Sequence, residues 1–148
     1  MKCVLYILMR SDLPSLNPGK AIAQAVHAGN KLVWNMRENE NVKEWAGSEG
    51  YGTTITLSVP LRDIQGAFDQ LQVLNIWALS GWMIDQTYPI VVPADGLGLI
   101  DQTKLSAPFR LTDENKAIVL YRKETTCAYI FGDKETLKPV LGEFDLYQ

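Results

Sequence analysis

The sequence predicts an α/β fold: a single domain, residues 1–148, built on a mixed β-sheet of at least four strands with helices on both faces. Three observations lead there. Strand-like and helix-like segments alternate along the chain, as a layered α/β fold requires. The opening run "KCVLYILM" is apolar without alternation, which suits a strand covered on both faces. A chain of 148 residues, 47% hydrophobic and 21% charged, holds enough apolar mass for one ordinary core.

Taken in order, "KCVLYILM" is the first strand and is expected in an interior position. The stretch "MKCVLYILMRSD" is not read as a leader peptide, because its apolar run is short, Arg10 ends it and no small-residue cleavage site follows. No run of about 18 apolar residues occurs, so no membrane partner is expected. Cys3 and Cys127 fall in separate strand-like runs with no C-x-x-C spacing, and read as buried thiols of a cytoplasmic protein. Asn17-Pro18 is a good helix start, with Asn as N-cap and Pro at the first helical position, and the helix is expected to reach about Arg37. "WAGSEGYG", with glycines at 47, 50 and 52, reads as loop.

β-Branched "TTITLSV" gives a second strand. In "LRDIQGAFDQLQVLN", Leu61, Ile64, Phe68 and Leu71 recur at helical spacing. "IWALSGWMI" and "TTCAYIF" supply further strands, and "DKETLKPVLGEF" a short final helix interrupted near Pro139. The segment 93–124 is too long for a simple connection. Leu97, Leu99, Ile100, Leu105 and Phe109 are too many apolar residues for a solvated linker, so an ordered cover near Lys20 is expected, partly a hairpin around Ala117–Tyr121. "IDQT" occurs twice, at 84–87 and 100–103, with no physical reason for the repeat.

The helix after Asn17 carries the chemistry. At about 100° per residue, Lys20, Gln24, His27 and Lys31 share one narrow stripe. Ala21, Ile22, Ala25, Val26, Ala28, Leu32, Val33 and Met36 fill the opposite face, which is apolar and complete without the polar four. The polar four are therefore expected at solvent or in a cleft. A lysine in the first turn opposes the helix dipole by roughly 0.3–1 kcal/mol, and Gly19 beside it weakens the helix further. A cation and bare N–H groups at a helix start are what an anion site needs. Around it the charge is uneven: residues 1–37 carry Lys2, Arg10, Lys20, Lys31 and Arg37 against Asp12 alone, on a chain of net charge −3.

The sequence lends only weak support to nucleotide hydrolysis, dehydrogenase or serine-hydrolase chemistry. The P-loop pattern fails because Pro14 replaces its first glycine and Ala21 follows the lysine. "GSEGYG" has the wrong spacing for a dinucleotide fingerprint and precedes a strand. No serine sits in G-x-S-x-G, and one histidine cannot build a zinc site from two or more.

Strand, "RSDL", loop and "GKAIAQAVHA" resemble the N-terminal signature of the type 2 peptidyl-tRNA hydrolases, R-x-D-L before G-K-x-A-A-Q-x-x-H-A. The likeness rests on Arg10, Asp12, Leu13, Gly19, Lys20, Ala23, Gln24, His27 and Ala28. It continues more weakly through "VKEWAGSEG", "WMIDQ" and the C-terminal "TTCAYIFGDKETLKPVLGEFDLY". The chain departs from the pattern at Pro18, where members carry a second lysine. It departs again after Asp85, where "DQTYP" replaces an Ala-Gly-containing turn, and in the insertion at about 93–124.

The resemblance implies hydrolysis of the ester joining a peptide to tRNA, with peptidyl-tRNA as partner, no metal or cofactor, and a homodimer. It implies catalytic roles for Lys20 as the cation, Asp85 at a strand's C-terminal end as the group that positions or deprotonates water, and Gln24 as an orienting amide. Substrate binding is expected of Arg10, Asp12, His27, Lys31 and Thr126. Each of these has a plainer reading beside it: a loop-bracing ion pair for Arg10 and Asp12, a structural role for His27, the ordinary polar face of an amphipathic helix for Lys31, a good strand residue in Thr126. The alternatives for the whole chain are a non-catalytic nucleotide-, RNA- or protein-binding module on the same fold, or a hydrolase of a different ester or amide.

Overall fold

The computed structural model describes residues 1–93, 102–111 and 117–148. In chain order these form β1 (Cys3–Arg10), α1 (Pro18–Asn35), α2 (Glu40–Gly47), a 3-10 turn (Glu49–Tyr51), β2 (Thr54–Val59) and α3 (Leu61–Val73). Then follow β3 (Leu79–Pro93), β4 (Leu105–Leu111), β5 (Ala117–Asp133) and α4 (Lys134–Leu141). One mixed sheet of five strands runs β2-β1-β5-β3, with β4 pairing β5 off that path. β1 is parallel to β2 and antiparallel to β5, so it is interior, as the unbroken apolar run predicts.

β1 divides the core. Val4, Tyr6 and Leu8 face α3 and α4, packed with Ile64, Ala67, Leu71, Ile130 and Leu137. Leu5, Ile7 and Met9 face α1 and α2, packed with Ala21, Ala28, Leu32, Val42 and Phe131. Val4, Ile7, Leu8 and Met9 lose all contact with water; each such burial contributes about 1.5–3 kcal/mol. The exposed edge of β2 is partly covered by the C-terminal tail, where Ser58 N–H donates to Asp145 O and Tyr147 N–H donates to Thr56 O.

Several expectations need correction. The chain is helical through "WAG": Asn39 caps α2 with its side chain, and Val42 anchors it to the core. The third strand does not end at Asp85 but continues to Pro93. In "KAIVLYRKETTCAYIF" the residues from Ala117 to Phe131 contain no turn and belong to the single strand β5; its first half pairs antiparallel with β4 on one side and with the end of β3 on the other. Pro139 does not interrupt α4, since the carbonyl it would leave unpaired, that of Glu135, is on an exposed residue. Cys127 is buried but Cys3 only partly so. Leu97, Leu99, Ile100 and the second copy of "IDQT" through Asp101 lie outside the described residues, as does the side chain of Phe109.

α1 is rotated relative to the face its composition suggests. Its buried residues are Ala21, Gln24, Ala28 and Leu32, whereas Ile22, Val26 and Val33 are exposed. The physical reason is a polar partner for Gln24 beneath the helix, described below. No helix among the described residues is long and apolar enough to cross a membrane.

The loop into β2 gives a test of the packing. Gly52 has φ +89, and a Cβ there would overlap the Trp45 indole, which is held by Nε1–H donation to Thr53 O at 2.9 Å and by an edge contact with Phe131. Gly52→Ala is expected to destabilise the protein by about 1–3 kcal/mol in urea unfolding. Gly47→Ala, where no atom lies near the added Cβ, should be neutral or stabilising by up to about 1 kcal/mol.

Candidate active site

Two β-bulges build the site. Between β3 and β5 the register runs Met83↔Cys127, Ile84↔Thr125, Asp85↔Glu124 and then Tyr88↔Arg122. Thr126 is thus the extra residue on β5, and one extra residue follows Asp85 on β3. Bulges re-aim side chains, and here they aim two at the same point. Thr126 is fully buried and its hydroxyl donates to Gln24 Oε1 at 2.9 Å. Gln24 Nε2 donates to Asp85 Oδ2 at 3.3 Å. The second bulge closes on the same carboxylate, because Thr87 N–H donates to Asp85 Oδ1 at 2.9 Å.

The Gln24 amide is therefore fixed in one orientation, oxygen to Thr126 and nitrogen to Asp85. A buried amide with no partner would cost about 1–3 kcal/mol, so this chain of bonds decides which side of α1 faces the sheet.

Lys20 lies one turn before Gln24 on the same helix. The N-cap behaves as the sequence predicts: Asn17 Oδ1 accepts from Lys20 N–H at 2.9 Å. The ammonium donates to Ser15 O at 2.9 Å and to Pro89 O at 3.2 Å, and lies 5.3 Å from the centre of the Tyr88 ring. Lys20, Gln24 and Asp85 thus gather where α1 meets β3. The other half of the polar stripe diverges. Lys31 donates to Trp82 O at 2.8 Å. His27 is exposed and its side chain makes no hydrogen bond among the described residues; it does not join the Asp85 network.

Arg10 ends β1 and is buried. β5 is paired by β1 only as far as Cys127 and by β4 only from Arg122. Arg10 covers the gap, with Nη1 donating to Glu124 Oε1 at 2.7 Å and to Thr125 O at 2.9 Å. Its Nε donates to Asp12 Oδ1 at 3.0 Å, and Asp12 also accepts from Leu61 N–H at the start of α3. This geometry is a loop brace. Burial lowers the guanidinium's affinity for its proton, but the hydrogen bonds to Asp12 and Glu124 outweigh it and hold the group above its ordinary value.

Sequence reasoning missed Glu124, which stands opposite Asp85 in the ladder and also lies 3.1 Å from Arg122 Nε. It missed Tyr88 too, whose hydroxyl donates to Pro14 O at 2.8 Å. Burial, with the Glu124 carboxylate adding to it, pushes the Tyr88 phenol up to about 12. The signal available was an aromatic residue beside a proline just after the site aspartate, in the "DQTYP" that stands out in the sequence only as a departure from the family pattern.

The hydrogen bond from Arg10 holds the Asp12 carboxyl below its ordinary value. A carboxylate depressed in the folded state contributes stability above its unfolded pKa, about 4, and loses it as pH falls through the folded value. Unfolding midpoints measured from pH 5 to pH 2 should show this loss, and Asp12→Asn should flatten it. The contribution is at most about 1 kcal/mol, since Asp12 is partly exposed and screened.

Comparison with known proteins agrees with the motif. The family described as Peptidyl-tRNA hydrolase PTH2 matches residues 3–79. That span runs from β1 to the first residue of β3 and takes in Arg10, Asp12, Lys20, Gln24, His27 and Lys31. Asp85 and Thr126 lie beyond it. Among curated proteins, none matches the chain. A match over more than half the chain, on the sheet and helix that carry Lys20 and Gln24, establishes that the protein belongs to the type 2 peptidyl-tRNA hydrolase family.

Proposed function

We propose that this protein hydrolyses the ester bond of peptidyl-tRNA, releasing the peptide and free tRNA. One observation carries the reading. The buried amide of Gln24 is clamped between Thr126 and Asp85, on the helix whose first turn presents Lys20. A carboxylate held by two N–H donors is oriented to accept a proton from water. An ammonium at a helix N-terminus suits a phosphate or the oxyanion that forms as water attacks the ester. Gln24 and Thr126 hold the carboxylate's side of the site, and Arg10 with Asp12 braces the loop that precedes Lys20. Lys31 and His27, farther along α1, extend a polar surface on which a tRNA backbone can rest. No step calls for a metal or cofactor.

A second reading, a non-catalytic RNA-binding module, draws support from the two backbone carbonyls already engaged by Lys20. Release of peptide from a model peptidyl-tRNA separates the two. Lys20→Ala should lower the rate about a hundred- to a thousandfold with the fold intact, which is the loss typical of a single transition-state charge contact. Asp85→Asn should be comparably severe, because the amide cannot accept the proton. Wild-type protein that binds tRNA, more weakly as salt rises, but leaves the ester whole would establish the binding module instead.

A tRNA substrate and two free thiols, Cys3 and Cys127, fit a reducing cytoplasm. The family's homodimer has a candidate surface in Ile22, Val26 and Val33, exposed along α1 beside a cavity of about 470 Å³ lined also by Trp45 and Tyr51. Sedimentation should show a dimer that Val26→Asp disperses.

A further inference from the structure

We propose that Tyr88 is a positioning residue for Lys20, and that the β3 segment beyond Asp85 is the seat that aims the lysine. The inference rests on the reading of Lys20 as the cation that meets the substrate. Tyr88 is 1% exposed, although Gln86, Thr87 and Val91 around it on β3 are exposed. Its hydroxyl ties to Pro14 O and its ring lies under the ammonium. Next to it, Pro89 supplies a carbonyl to Lys20. From the other side Ser15 supplies a second, and it does so from a left-handed backbone, φ 63, that a non-glycine residue adopts only under constraint. Val91 N–H, 3.5 Å from Ser15 Oγ, ties the strand to the same loop.

The physical need is clear. A lysine side chain has about 2 kcal/mol of rotamer entropy to lose, and the helix dipole repels its charge from the first turn. Two carbonyl dipoles and the negative face of an aromatic ring reverse that preference locally. Among the described residues the two carbonyls occupy two of the ammonium's three N–H bonds, and the third is left for a ligand oxygen. The bulge after Asp85 matters here as well: the same extra residue that closes on the carboxylate sets Tyr88 inward. Lys20 and Asp85 are thereby indexed to one strand.

The test is a double-mutant cycle on peptidyl-tRNA hydrolysis, with Tyr88→Leu and Lys20→Ala singly and together and urea unfolding run alongside. Tyr88→Leu should lower kcat about five- to thirtyfold with KM little changed, and should have no further effect once Lys20 is alanine. Tyr88→Phe, which keeps the ring, should retain most of the activity. Equal losses from Tyr88→Leu in both Lys20 backgrounds, or no loss at all, would overturn the proposal. NMR supplies a readout independent of catalysis. In the wild type the ε-methylene protons of Lys20 should be shifted upfield by the Tyr88 ring, and Tyr88→Leu should abolish the shift. Random-coil values in the wild type would overturn the seat even in an active enzyme. Lack of ester cleavage by a wild type showing the ring shift would instead defeat the hydrolase reading and leave the seat standing.

Discussion

The hydrogen-bonded burial of one amide, that of Gln24, sets the arrangement around it. Turning α1 to bury its most apolar side would cover Ile22, Val26 and Val33 and leave Gln24 outside. The protein does the reverse. Area bookkeeping favours the apolar turn by a few kcal/mol, so the observed rotation needs compensation. Ala21, Ala28 and Leu32 supply much of it from the same buried side, and the bonds to Thr126 and Asp85 remove the desolvation cost of the amide. The helix is thereby placed to serve a site, and an apolar stripe is left over at its surface.

The same constraint explains the bulges. A regular β3–β5 ladder would alternate side chains strictly between the two faces. Thr126, between Cys127 and Thr125, then could not take up an inward position beside Cys127, which already packs against α1. Inserting Thr126 as an extra residue lets adjacent side chains share a region of the interior. The compensating extra residue after Asp85 restores pairing, and the long ribbon continues to Pro93 and Ala117. Residues 88–93 and 117–122 thus extend the site's own two strands, in a ladder whose irregular point holds Asp85.

Much of this was legible in the sequence, and the limits have physical causes. The interior strand, the Asn17-Pro18 helix start and the helix from Leu61 follow from local patterns of burial and capping, and each forms as read. α2 was obscured because its glycine-rich exit, "AGSEGYG", looks like a loop; the helix depends on the Asn39 cap and the single anchor Val42, a signal too small to stand out. The stripe on α1 identified Lys20 and Gln24 but not the divergence of His27 and Lys31, since helical periodicity gives direction around an axis and not what lies opposite. What Glu124, Tyr88 and the carbonyl of Pro89 do in the site was out of reach for a stronger reason. Their roles arise from the register between strands far apart in the chain, and register at a bulge is set by tertiary pairing rather than by either segment alone.

Arg10 shows how the fold and the site share one residue. The sheet is spliced on the β1 side of β5, where β1 stops at Cys127 and β4 begins at Arg122. Backbone groups in such a gap lack a ladder partner, and a buried carbonyl left bare is costly. The guanidinium has the reach and the planar set of donors to bond Thr125 O and a carboxylate together. A lysine, with one nitrogen, could not also hold Asp12 in the same geometry. Arg10 neutralises Glu124 directly across the ladder from Asp85, so that the two carboxylates facing each other there do not meet as bare like charges. Strand termination, loop bracing and the charge balance of the site thus depend on a single side chain whose place is fixed by the last residue of β1.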